Sequence, residues 1–376
     1  MKIKKMTALA LATAMAFTLL SGCGGDSSGS DNSAATVSPS GSAAPTESSA
    51  GSSSGSYNVD NLSEATYKVN TSAKAATLQT PGYGEAIQYF CDQVKERSGG
   101  KINMEIYTDA QLGGSADEMI SGVTTGAFEF ITLNQGSWGD YTDAFMPFNL
   151  PFLFSDFNQA YKFMDNGMAD TITDNIAQDT GVHVLCYFDM GFRDLTNNRG
   201  EIKTASDMKG LKMRTQSDPY QIATFEALGT NVTTVSYSEL YSALQQGLVD
   251  AQENPLSNIV LQKYYEVQKY LTLTNHTYTL TTMACSEDMW NSWNTDTQNL
   301  FKEVAADATT LCRKGLETSV QTDLDTLKSK MDVYQPTDEE LQTFKDAAAP
   351  VYDKIKDAMG QSRYNQIVSA AEAAKD

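Results

Sequence analysis

Histidine is almost absent: His183 and His276 are the only two, and neither has a partner at metal-ligand or triad spacing. Zinc-dependent hydrolysis and Ser-His-Asp catalysis therefore lack their parts. Cysteine is nearly as scarce, with five residues and no C-x-x-C pair, which argues against a zinc knuckle. Cys186 and Cys285 lie in apolar runs and read as buried free thiols; one disulfide among Cys91, Cys186, Cys285 and Cys312 stays open. Beyond the extreme N-terminus no apolar run approaches the roughly 20 residues of a membrane span. Positive charge is short, 27 basic against 47 acidic residues for a formal −20. That balance disfavours nucleic acid and anionic lipid surfaces as partners. A small anion is not excluded, because exposed charges are screened beyond about 8 Å and one arginine in a cleft outweighs a distant acidic surface. No phosphate-cradling loop is present, and no cofactor or metal is expected.

What the chain does have begins at its start. Lys2, Lys4 and Lys5 precede an apolar stretch over residues 6–20, followed by Leu20-Ser21-Gly22-Cys23. That order is a secretion signal over 1–22, and the last four residues resemble the bacterial lipobox, which makes Cys23 the lipidated first residue. Losing the three signal lysines takes the formal charge from −20 to −23. Residues 23–60 are mostly Gly, Ser, Ala, Thr, Pro and Asn and read as a flexible tether, of about 30 Å end to end as a Gly/Ser coil. The string Gly51-Ser52-Ser53-Ser54-Gly55 matches G-x-S-x-G, but in a linker it lacks the strand-to-helix elbow that the hydrolase motif requires.

The body is long enough for two lobes. Alternating Ile102, Met104 and Ile106 predict a strand, and Ile87, Phe90, Cys91 and Val94 place a helix over 83–97. Strands are also expected over 66–71, 128–134, 182–188, 211–214, 248–251, 270–273 and 278–285. Between them fall helices near 119–125, 155–166, 168–178, 219–228 and 236–246, the last opened by a Ser236-x-x-Glu239 capping box. Such alternation predicts an α/β sheet. After residue 285 the chain turns helical. An apolar stripe from Leu300 through Ala308, Leu316 and Leu327 to Met331 gives one helix over 296–331, roughly 50 Å long, enough to brace two lobes. Thr337-x-x-Glu340 caps another helix, Gly360 ends it, and a short amphipathic helix closes the chain.

Gly191-Phe192-Arg193-Asp194-Leu195-Thr196-Asn197 resembles the Gly-Phe-Arg-x-x-Thr-Asn segment of solute-binding proteins of TRAP transporters. Lys209 to Arg214, reading Lys-Gly-Leu-Lys-Met-Arg, resembles the family's Lys-Gly-Leu-Lys-hydrophobic-Arg strand. Ser238-Glu239-Leu240-Tyr241, leading to Asp250-Ala251-Gln252-Glu253-Asn254-Pro255, Tyr265-Glu266-Val267-Gln268-Lys269-Tyr270 and Gln111-Leu112-Gly113 are similar to further family segments in the same order. The likeness covers residues 63–357.

The resemblance implies an α/β, two-lobed periplasmic-binding-protein-like fold with a hinge and a long helix spanning both lobes. Lobe I would comprise 61–190 plus 281–318, and lobe II 191–280 plus 319–376. It implies no enzyme but a receptor that captures a small organic acid (a C4-dicarboxylate, sugar acid or related carboxylate) and delivers it to integral membrane permease subunits, as a monomer on a lipid anchor. Arg214 matches the arginine that pairs with the ligand carboxylate through two parallel donors. Asn254 matches an amide donor to the same carboxylate, Arg193 a second arginine, and Tyr237 an aromatic against the ligand. Asn134 and Trp138 lie in the loop that reads the rest of the ligand. Each also has a plain structural reading: a surface-paired arginine, a turn or cap asparagine, a core aromatic. A ligand-binding lipoprotein of an ABC importer or sensor system, or a secreted carboxylate-using enzyme, would share much of this composition.

Overall fold

The computed structural model describes residues 56–375. The signal peptide, Cys23 and most of the tether lie outside the described residues. The chain is tied to the body earlier than the boundary at 60 suggests: the Ser56 amide donates to Glu303 (2.7 Å) and that of Asn58 to Asp296 (2.8 Å).

In chain order the elements are β1 (Ala65–Thr71), α1 (Tyr83–Arg97), β2 (Ile102–Tyr107), α2 (Ala116–Thr125), β3 (Phe130–Asn134), α3 (Phe157–Phe163), α4 (Ala169–Thr180) and β4 (Val182–Asn197). They continue with β5 (Lys212–Thr215), α5 (Pro219–Ala227), β6 (Asn231–Thr234), α6 (Leu240–Gln245), β7 (Ala251–Pro255), α7 (Leu256–Leu261) and β8 (Tyr270–Ser286). The chain ends in α8 (Glu287–Ser292), α9 (Thr295–Lys328), β9 (Asp332–Tyr334), α10 (Asp338–Met359) and α11 (Gln361–Ala373). The strands join in the order β2-β1-β3-β8-β4-β7-β5-β6, with β9 beside β8.

Two long antiparallel strands set this architecture. β4 and β8 pair from Val182 with Ser286 to Asn197 with Tyr270, so each crosses from the β1–β3 half of the sheet to the β5–β7 half. The structure is thus an α/β fold in two halves joined by shared strands. The two extended runs expected over 270–285 are one strand, because pairing continues through an irregularity where Asn275 takes a left-handed backbone. At the crossover β4 shifts register between Asp189 and Gly191. Gly191 has φ +93° there, a conformation that favours glycine.

Helix α9 is 34 residues long, about 51 Å at 1.5 Å per residue. Near its start Leu300, Phe301 and Val304 pack with Val69, Phe90 and Phe130 of the first half. Near its end Leu327 packs with Leu240, Ile259 and Leu271 of the second. Midway, Gly315 lies against the chain entering α1, where an added Cβ would stand 2.3 Å from the Gly82 nitrogen.

Four sequence expectations change. Residues 248–250 are not strand: Leu248 is 58% exposed and β7 starts at Ala251. Ser236 precedes a 3-10 turn over Tyr237–Glu239 and makes no side-chain cap bond; its hydroxyl donates to the Glu239 carboxylate (2.6 Å), and α6 starts only at Leu240. The last helix does not belong with the second half, because Ile367 and Ala371 of α11 pack with Phe154 and Phe163 of the first. Trp138 is wholly buried in that same core. The four body cysteines are buried free thiols.

Candidate ligand-binding cleft

Strands β1 and β3 run parallel, as do β5 with β6 and β5 with β7. Their carboxyl ends open onto a shared crevice, where open α/β sheets bind ligands. It holds a cavity of about 380 Å³, within the usual range for small-molecule sites. The first half contributes Thr71, Tyr83, Ser115, Met119, Thr132 and Asn134, and the crossover strands Met190 and Thr281. The second half contributes Arg214, Gln216, Tyr237, Asn254 and Asn258.

Arg214 is carried by β5, a four-residue strand whose register with β6 places it opposite Thr233. Its Nε and Nη2 both donate to the Val235 carbonyl, at 2.9 and 2.7 Å. Nη1 is buried and has no hydrogen-bond partner among the described residues. The residue is 1% exposed, and burial pushes its pKa below the usual arginine value. Glu253 lends some opposing stabilisation, but no carboxylate forms an ion pair with Arg214 among the described residues. A buried guanidinium held by one carbonyl has donors to spare, which suits it chemically to meet an anion.

Asn254 follows the sealed acid Glu253 on β7. Its Oδ1 accepts from Arg193 Nη2 (3.3 Å) and Asn258 Nδ2 (3.2 Å), and its amide donates to Gln252. One amide hydrogen is left for the cavity. Asn258 also accepts from the Tyr83 hydroxyl at 3.2 Å, a bond between the two halves. On the rim Ser217 donates to Asp140 at 2.7 Å, again across the cleft.

Of the candidates read from sequence, Arg214, Asn254, Tyr237 and Asn134 line this one cavity. Arg193 does not. Its Nε and Nη2 clasp Glu253, and it borders a small adjoining pocket shared with Asn134 and Gln216. Burial works against the charge of Glu253, but Arg193 and then His276 hold its pKa well below the usual carboxylate range. Trp138 lines neither pocket; the loop turns its ring into the core while neighbouring Ser137 faces the cavity. Sequence reasoning missed Tyr83, Asn258, Gln216 and Asp140. One of them carried a usable signal: Gln216 lies two positions beyond Arg214, just past a strand end.

Residues 72–358 match the family model described as bacterial extracellular solute-binding protein, family 7. The 2,3-diketo-L-gulonate-binding periplasmic protein YiaO of Escherichia coli (strain K12) is 31% identical over 271 residues, 72% of this chain and 82% of that protein. The C4-dicarboxylate-binding periplasmic protein DctP of Rhodobacter capsulatus is 27% identical, over 74% of this chain and 83% of its own. Among solved structures, the sugar acid binding protein DctPAm of Advenella mimigardefordensis, in complex with galactonate, superposes with a TM-score of 0.78 at 28% identity, covering 83% of this chain and 99% of the other.

Proposed function

Because the chain belongs to the family 7 bacterial extracellular solute-binding proteins, the TRAP solute-binding proteins of small organic acids, we propose that Arg214 is the residue that takes the ligand carboxylate in the cleft. The observation that carries this reading is the buried guanidinium of Arg214 in the cavity wall, whose Nη1 has no hydrogen-bond partner among the described residues. The carboxylate takes the free edge of the guanidinium, and the remaining amide hydrogen of Asn254 reaches the same anion. Tyr237 and Asn134 contact the rest of the molecule. Attraction between opposite charges rises from about 1 kcal/mol in water to about 4 at an effective dielectric near 20, so excluding water from the crevice tightens the grip. The ligand is released unchanged to integral membrane permease subunits. Cys23 carries the lipid anchor, and the protein works at the outer face of the membrane.

Thermal unfolding with carboxylic acids and their neutral amides tests the central claim. Ligand at 100 times its dissociation constant adds about 2.7 kcal/mol, a shift of several degrees. The shift is expected with an acid, not with its amide, and not in Arg214→Ala. An acid that shifts parent and variant equally refutes the role of Arg214. For the anchor, Cys23→Ala should move the protein from the membrane fraction to the soluble fraction; retention on the membrane refutes it. Deleting the permease should abolish uptake of the ligand.

A further inference from the structure

The charges around the cleft define the ligand more narrowly, given the reading of Arg214 above. Among the described residues that line the cavity Arg214 is the only cation; no lysine and no other arginine joins it. Other sources of positive potential nearby already have an acid of the protein's own. The first turn of α2 borders the cavity with Gly114, Ser115 and Ala116. There Glu118 folds back and accepts from the Gly114 amide (2.9 Å), the Ser115 amide (3.0 Å) and the Ser115 hydroxyl (3.0 Å). Its pKa is lowered by those bonds, so the helix end is already neutralised. Arg193, behind the cavity, is matched by Glu253.

The rest of the wall is neutral or negative. Hydroxyls and amides such as Thr132, Asn134, Ser137 and Gln216 alternate with an apolar strip of Met119, Leu133 and Met190. One carboxylate, Asp140, stands on the rim. A second ligand carboxylate here would be desolvated with no cation to meet it and with Asp140 repelling it, a cost of several kcal/mol. Ligand hydroxyls fit, since each both donates and accepts, and an acid at the rim can accept from them. We infer that the ligand is a polyhydroxylated monocarboxylate, a sugar acid, and that dicarboxylates are discriminated against.

Titration calorimetry on the purified protein decides this with D-galactonate, D-gluconate and D-galacturonate set against succinate, L-malate and the hydroxyl-free monocarboxylate pentanoate. At least one sugar acid should bind tenfold or more tighter than either dicarboxylate and tighter than pentanoate. Asp140→Asn should weaken the sugar acid severalfold and strengthen succinate. Succinate or malate binding as tightly as the best sugar acid, with the affinity lost in Arg214→Ala, would overturn the sugar-acid inference and leave the carboxylate grip intact. Pentanoate binding as well as the sugar acids would overturn the role of the hydroxyls. Binding of none of these acids would overturn the carboxylate grip itself, and the inference with it.

Discussion

Arg193 lays the edge of its guanidinium along the carboxylate of Glu253, with Nη2 2.8 Å from Oε1, and both side chains are sealed from solvent at 1% and 0% exposure. His276 Nε2 lies 3.3 Å from the same carboxylate and the Gln221 amide donates to it at 3.0 Å. Removing one member of such a pair leaves a lone buried charge, at a cost of about 3–5 kcal/mol. Glu253→Gln should therefore lower the unfolding midpoint on the order of 5–10 °C. The double change Arg193→Met with Glu253→Leu should recover a good part of that. A calorimetric midpoint unchanged in Glu253→Gln would show the pair to be dispensable.

Arg214 cannot be replaced by lysine. Two of its N–H groups are committed to the Val235 carbonyl, and an ammonium on a flexible stem cannot hold that carbonyl and grip a carboxylate in parallel. Hydrogen bonds to charged groups are worth about 1.5–3 kcal/mol, so Arg214→Lys should weaken the acid ligand roughly ten- to a hundredfold by titration. Parental affinity in this variant would show that charge alone suffices.

Asp194 gives the fold a pH dependence. Burial raises its pKa from the ordinary 3.8 to about 7; the amides of Asn275 and Thr274 oppose the rise and Glu253 adds to it. The folded chain thus keeps a proton that the unfolded chain releases between about pH 4 and 7. This group's contribution to stability falls as pH rises through that window and is flat above it. Asn in its place can still accept from the Asn275 amide, a bond of 2.9 Å. Asp194→Asn should stabilise the fold at pH 8 by on the order of 1–3 kcal/mol, seen as a raised melting temperature, and change it little at pH 4.5. Equal effects at both pH values would rule out the titration.

Trp138 is a structural aromatic. Its ring is fully buried with Phe145 and Phe148 in one core. Trp138→Phe should cost about 1–3 kcal/mol of stability and leave ligand affinity within about twofold. A large loss of affinity with an unchanged melting temperature would return it to the binding wall.

Sequence periodicity was a sound guide wherever one face of an element meets core. The stripe from Leu300 to Leu327 placed α9 to within a few residues, and the spacing of Ile87, Phe90 and Val94 placed α1 at Tyr83–Arg97. It failed where polar residues are buried. Residues 274–277 of β8 read as a break because Thr274 and His276 are polar, but they satisfy each other at 2.8 Å inside the protein. Family-like segments pointed to Arg214 and Asn254, which share the cavity. They could not tell that Arg193 is committed to Glu253, since that depends on which of two neighbouring polar side chains on β7 points inward. The fate of Trp138 turned on one residue of loop geometry, and α11 on a tertiary contact distant in sequence. Neither leaves a local pattern.

The run of α9 through both halves bears on how the molecule melts. A cut between the halves would sever β4 and β8 and strip one end of α9 of its packing, so neither half forms a separable foldon. A single calorimetric transition is therefore expected. Damage to the core around Phe301 would loosen the wall around Arg214 as surely as damage beside it, and a truncated half expressed alone would expose its severed strands to aggregation.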